Sequence, residues 1–87
     1  MKISFDPKKD EQTRLERGLS LALGAEIIRS QVAVRMDSRF DYGEERLIAY
    51  GYLEDRLHVC VYTVRDDTLR IISVRKANER EVARYGR

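Results

Sequence analysis

LHVCVYTVRDDTLRIISVRKA, residues 57–77, sets β-branched and aromatic side chains on both sides of an acidic pair, Asp66-Asp67. Such a run reads as two strands joined by a tight turn. With a two- or four-residue loop centred on that pair, residues whose numbers sum to 133 lie opposite each other, and alternation separates the two faces. One face carries Leu57, Val59, Val61, Ile72 and Val74, with Thr63 and Arg70 continuing it toward the turn. That apolar surface calls for helices on top of it. The other face sets His58 against Arg75, Cys60 against Ser73, Tyr62 against Ile71 and Val64 against Leu69. A three-residue loop would shift the pairing by one position and regroup all of these side chains.

The chain upstream supplies the remaining layers. Lys2 to Phe5 reads as a short strand that stops at Asp6-Pro7, where Asp6 suits an N-cap and Pro7 the first helical position. The helix from Lys8 to Arg17 is almost entirely polar with Leu15 as its main apolar anchor, and Gly18 ends it. Ser20 caps a second helix carrying Leu21, Leu23, Ile27 and Ile28, which is expected to cover the apolar sheet face. Val32, Val34 and Met36 alternate as a strand, Asp37 to Glu44 is a polar loop, and Leu47 to Leu53 is another strand, where Gly51 marks a bulge or close packing. Glu54-Asp55-Arg56 then turns into the hairpin, which brings Glu45 beside Arg65 and gathers Glu45, Arg46, Arg65 and Arg70 at the turn end of the sheet. Asn78 caps a last helix, Glu79 to Arg84, whose apolar contribution is only Val82, Ala83 and Tyr85 and which depends on a partner for support. The expected fold is α+β, in the order β-α-α-β-β-β-β-α, with a mostly antiparallel sheet packed on a helical hairpin.

Eighty-seven residues make a single domain, 1–87, with a modest core. Seventeen basic against 15 acidic residues nearly cancel, yet beyond Thr68 the chain carries Arg70, Arg75, Lys76, Arg80, Arg84 and Arg87 against Glu79 and Glu81. A basic C-terminal third points to a polyanion or acidic partner, or else to a solvated helix face. One cysteine allows no internal disulfide, and no apolar run is long enough for a membrane span or an export signal, so a cytoplasmic protein with no membrane association is expected. One His and one Cys exclude the zinc motifs, no phosphate loop or nucleophile elbow is present, and no cofactor is implied. What remains is a set of arginines with a Tyr, a Ser and a Glu. It suits a structural ion-pair network, or metal-free RNA cleavage, in which guanidinium groups neutralise the developing phosphorane charge and Glu45 acts as base.

Several strings resemble one family. Tyr62-Thr63-Val64-Arg65, then Arg70-Ile71-Ile72-Ser73-Val74-Arg75-Lys76-Ala77, then Glu79-Arg80-Glu81 and Tyr85, are similar to the BrnT family of type II toxins. So are Phe5-Asp6-Pro7-Lys8-Lys9, the Gly18-x-Ser20 join and Gly43-Glu44-Glu45-Arg46, in the same order along nearly the whole chain. The resemblance implies a RelE-like fold and a metal-independent ribonuclease that arrests translation. It also implies a BrnA-like ribbon-helix-helix antitoxin that sequesters the toxin, the complex binding its own promoter DNA. Carried over by position, Glu45, Arg65, Arg70 and Arg75 are the catalytic candidates, and Arg46, Tyr62, Ser73 and Lys76 the nucleic-acid-binding ones. The chain departs from the family where Glu16-Arg17-Gly18 replaces the usual Lys-His-Gly and Thr13 replaces an upstream Asn. That departure keeps a second reading open: a catalytically inactive homologue serving as co-repressor partner of a DNA-binding antitoxin.

Overall fold

The computed structural model describes residues 2–37 and 43–86, so the centre of the polar loop expected at Asp37 to Glu44 lies outside the described residues. The elements run β1 (Lys2–Ser4), α1 (Pro7–Arg17), a 3-10 turn (Leu21–Leu23) leading into α2 (Gly24–Arg29), β2 (Ala33–Met36), β3 (Leu47–Leu53), β4 (Arg56–Arg65), β5 (Thr68–Lys76) and α3 (Glu79–Tyr85). This is the expected order. The five strands form one sheet, β1-β5-β4-β3-β2, antiparallel throughout except for the parallel β1–β5 pair. Among the described residues no helix is long and apolar enough to cross a membrane.

Local chemistry starts and stops the helices where the sequence places the signals. The Asp6 side chain accepts from the Lys8 N–H, Pro7 opens α1, and Gly18 closes it at φ +69°, a conformation that favours glycine. Ser20 caps the 3-10 turn through the Ala22 N–H. Gly51 marks close packing: a Cβ there would run into the Ile27 carbonyl oxygen, so its absence lets α2 settle directly on β3.

Leu15 is not the anchor of α1, since it is 82% exposed. The buried residues of this helix are polar, Asp10 and Thr13. The Asp10 carboxylate accepts from the Leu21 N–H at 2.6 Å and the Ser20 hydroxyl at 3.0 Å, tying α1 to the start of the next helical segment. A helix with so little apolar surface is thus held by satisfied polar groups.

The central hairpin departs from the expected face assignment. Asp66-Asp67 makes a two-residue turn, and pairs summing to 133 hold from Val64↔Leu69 to Tyr62↔Ile71. Between Val61 and Tyr62 the register slips, leaving Ile72 unpaired, so that farther from the turn the pairs sum to 134: Val61↔Ser73, Cys60↔Val74, Val59↔Arg75, His58↔Lys76. A β-bulge of this kind rotates every later β5 side chain to the opposite face. Hence His58 faces Lys76 rather than Arg75, and Cys60 faces Val74 rather than Ser73. The helical hairpin covers Cys60, Tyr62, Ile71 and Val74 together with Ala49, using Leu21 and Ile27. Leu57 and Val59 belong to a second cluster with Ile48, Tyr50 and Ala77 on the other side of the sheet, against which Tyr85 of α3 packs. The sheet therefore has two apolar faces, one under α1 and α2 and one under α3.

Candidate functional site

The bulge also determines which polar side chains meet. Arg70 pairs with Thr63, Ser73 with Val61 and Arg75 with Val59, and these odd-numbered β4 residues share the face opposite the helical hairpin. Without the extra residue, Arg70 would lie on one face and Ser73 and Arg75 on the other. Following the same ladders outward, Val61 pairs with Ile48 and Ile48 with Arg35, so Arg35 of β2 joins this face as well. Its Nε donates to the Tyr50 hydroxyl at 3.2 Å.

The guanidinium groups differ in their partners. Arg75 donates to both carboxylate oxygens of Glu81, at 2.7 and 2.9 Å. This bidentate bond is the main reason that the Glu81 carboxyl titrates below its usual range, assisted by the Asn78 N–H and opposed by burial. Tyr85 stacks on Tyr50 with ring centroids 4.0 Å apart, so α3 lies over this part of the face. Arg65, largely exposed, pairs bidentately with Glu44 at 3.0 Å through both nitrogens. Arg70 is half-buried, reaches only the Ser4 hydroxyl at 3.5 Å, and makes no ion pair among the described residues. Among the described residues no carboxylate pairs with this half-desolvated guanidinium, whose chemistry suits an anion.

Other expected site residues lie elsewhere. Glu45 is exposed, and it is its backbone carbonyl that is engaged, accepting from the Thr63 hydroxyl at 2.7 Å. The residue opposite Arg65 is Glu44 because the β3–β4 turn is two residues, Glu54-Asp55, both at positive φ, with Leu53 paired to Arg56. Reading Arg56 as part of the turn displaces the whole ladder by one. Arg46 lies within electrostatic reach of α1, where it and Arg17 help lower the titration of the Lys9 ammonium, after burial, the larger cause. Tyr62 is 6% exposed in the helix-side core, where burial raises its phenol, so it offers no ring to a base. Lys76 is exposed beyond the bulge, on the face opposite Arg75. Cys60 is fully buried, its thiol pushed up to about 12 by desolvation. Arg35 and Glu44 were not singled out from the sequence, although the Val34-Arg35-Met36 alternation already places Arg35 opposite an apolar face.

The arrangement is that of a small α+β protein with arginines and stacked tyrosines gathered on one sheet face. The family model for BrnT, the ribonuclease toxin of a type II toxin-antitoxin system, matches residues 5–81, and the chain belongs to that family. It is accordingly a ribonuclease toxin of the type II class, with an antitoxin as partner. Comparison with curated proteins returns no match.

Proposed function

We propose that this toxin is a metal-independent endoribonuclease that acts on RNA in the cytoplasm, with its scissile phosphate on the Arg70-Ser73-Arg75 face. The observation that carries the reading is Arg70: half-buried, on the bulged strand, and in no ion pair among the described residues. Arg70 takes a non-bridging oxygen of the phosphate as charge develops on it. Arg75 contacts the same or the next phosphate when RNA competes with Glu81 for its guanidinium. Arg65 is oriented by Glu44, and Glu45, with its carboxylate exposed, is the candidate base for the 2′-hydroxyl. The 2′-hydroxyl gives its proton to Glu45 and its oxygen attacks phosphorus, the bond to the 5′-oxygen breaks, and the leaving oxygen takes a proton from solvent. In the proposed cell biology, a ribbon-helix-helix antitoxin of BrnA type sequesters the toxin, and the complex binds promoter DNA.

A second reading, an inactive partner module, is favoured by one observation. Arg17 stands where family members usually have His, and its guanidinium donates to the Val74 carbonyl at 3.0 Å, a structural use. Purified protein incubated with a generic RNA in EDTA separates the two. Cleavage by the wild type that falls at least about 100-fold in folded Arg70→Ala supports the enzyme and its site, that being the loss typical of a charge-stabilising donor. Full cleavage by Arg70→Ala removes Arg70 from the site, and no cleavage or growth arrest by the folded wild type supports the inactive module.

A further inference from the structure

We infer that the face opposite the arginines holds a second binding site, for a nucleotide whose base carries an exocyclic amine. An open cleft of about 680 Å³ lies between the helical hairpin and the β3–β4 turn, within the size range of small-ligand sites. Leu19, Leu23 and Leu53 form its apolar wall, and His58 opens on it.

His58 is the residue that gives the cleft a preference. Its Nδ1 lies 2.8 Å from the Arg56 carbonyl oxygen. A carbonyl only accepts, so Nδ1 carries the proton, and in the neutral ring Nε2 holds a lone pair. Nε2 has no hydrogen-bond partner among the described residues and is open to solvent, which leaves it facing the cleft. Glu26 and Glu54 add carboxylate acceptors at the rim, Glu26 having one oxygen held by Arg29 at 2.7 Å. Lys76, directly across the ladder from His58, and Arg56 supply two cations. The ligand that satisfies all of these has a flat body for the leucines, N–H donors for Nε2 and the carboxylates, and an anion for the lysine and arginine. A cytosine, adenine or guanine nucleotide has that set, whereas uracil presents only carbonyls at the positions where these bases carry an amine. The site lies across the sheet from Arg70 and does not depend on ribonuclease activity.

The chain has one histidine, so its imidazole nitrogens are assigned without ambiguity. We expect long-range ¹H–¹⁵N correlation at neutral pH to show the Nδ1–H form, and the Nε2 resonance to move saturably on addition of CMP. Equal concentrations of UMP or inorganic phosphate should move it at least about five-fold less. Lys76→Glu and Leu23→Asp, both at the surface, should each weaken CMP binding by about tenfold, the first by losing one charge-assisted hydrogen bond and the second by setting a carboxylate against the ligand's anion. A 2′-O-methyl trinucleotide ACA binding more tightly than CMP would show that the nucleotide arrives within RNA, and weaker binding that it is free. An Nε2–H tautomer, no response to millimolar CMP, an equal response to phosphate alone, or unchanged binding in both folded variants would each overturn the inference. Loss of RNA cleavage in Arg70→Ala with CMP binding intact separates this site from the arginine face.

Discussion

Asp10 shows how a single polar residue can replace a missing apolar stripe. On a helix with almost no hydrophobic surface, the sequence draws attention to Leu15, which is 82% exposed, while Asp10 at 8% does the anchoring. It accepts the Leu21 N–H and Ser20 hydroxyl and pairs with Arg14 at 3.3 Å. Its replacement orphans a buried N–H, and so Asp10→Ala is expected to lower stability by about 1–3 kcal/mol in urea unfolding. Leu15→Ala should stay within about 0.5 kcal/mol of the wild type. The reverse order would mean that α1 docks through Leu15 after all. Asp10 was not legible in the sequence because its partners lie ten and eleven positions away, beyond the reach of helix-capping patterns.

At the level of elements, α3 illustrates a short helix held by three specific devices. A capping box joins Asn78 and Glu81, Glu81 grips Arg75, and Tyr85 stacks on Tyr50. The sequence showed the cap and the scarcity of apolar residues, hence the expectation of an outside partner; the support comes instead from β3 and β5 of the same chain. Two of the three devices run through one carboxylate. Because the Glu81 carboxyl titrates below its ordinary value of 4.5, the stability it adds is fully present above that value and is lost as pH falls through the lower folded value. We expect the helical NMR shifts of residues 79–85 to hold at neutral pH and fray in acid below the ordinary glutamate range. Glu81→Gln should fray the helix at neutral pH and remove the acid transition. An acid transition that persists in Glu81→Gln would assign it to another group.

Across the whole molecule, β4 is the middle strand, paired on both sides and covered on both faces, whereas β1 and β2 are edges. Amide exchange should therefore be slowest at Val59 to Tyr62 and fastest in β1 and β2, and equal protection across the sheet would contradict this layering. The order of elements, the caps at Asp6, Ser20 and Asn78, the αL stop at Gly18 and the acidic turn at Asp66-Asp67 were all determined by the sequence alone. Each arises from groups a few positions apart, whose hydrogen bonds and backbone preferences act before any tertiary contact forms. The arginines were legible as candidates for the same reason that a basic stretch is, by count and position. Only the tertiary structure decided their grouping, which of Glu44 and Glu45 meets Arg65, and which face lies under the helices. One unpaired residue, Ile72, and one turn shorter by a residue set all three. A one-residue slip changes little locally, yet in a strand of period two it exchanges the faces, and the choice is made by how Leu21, Ile27 and Tyr85 pack on the finished sheet.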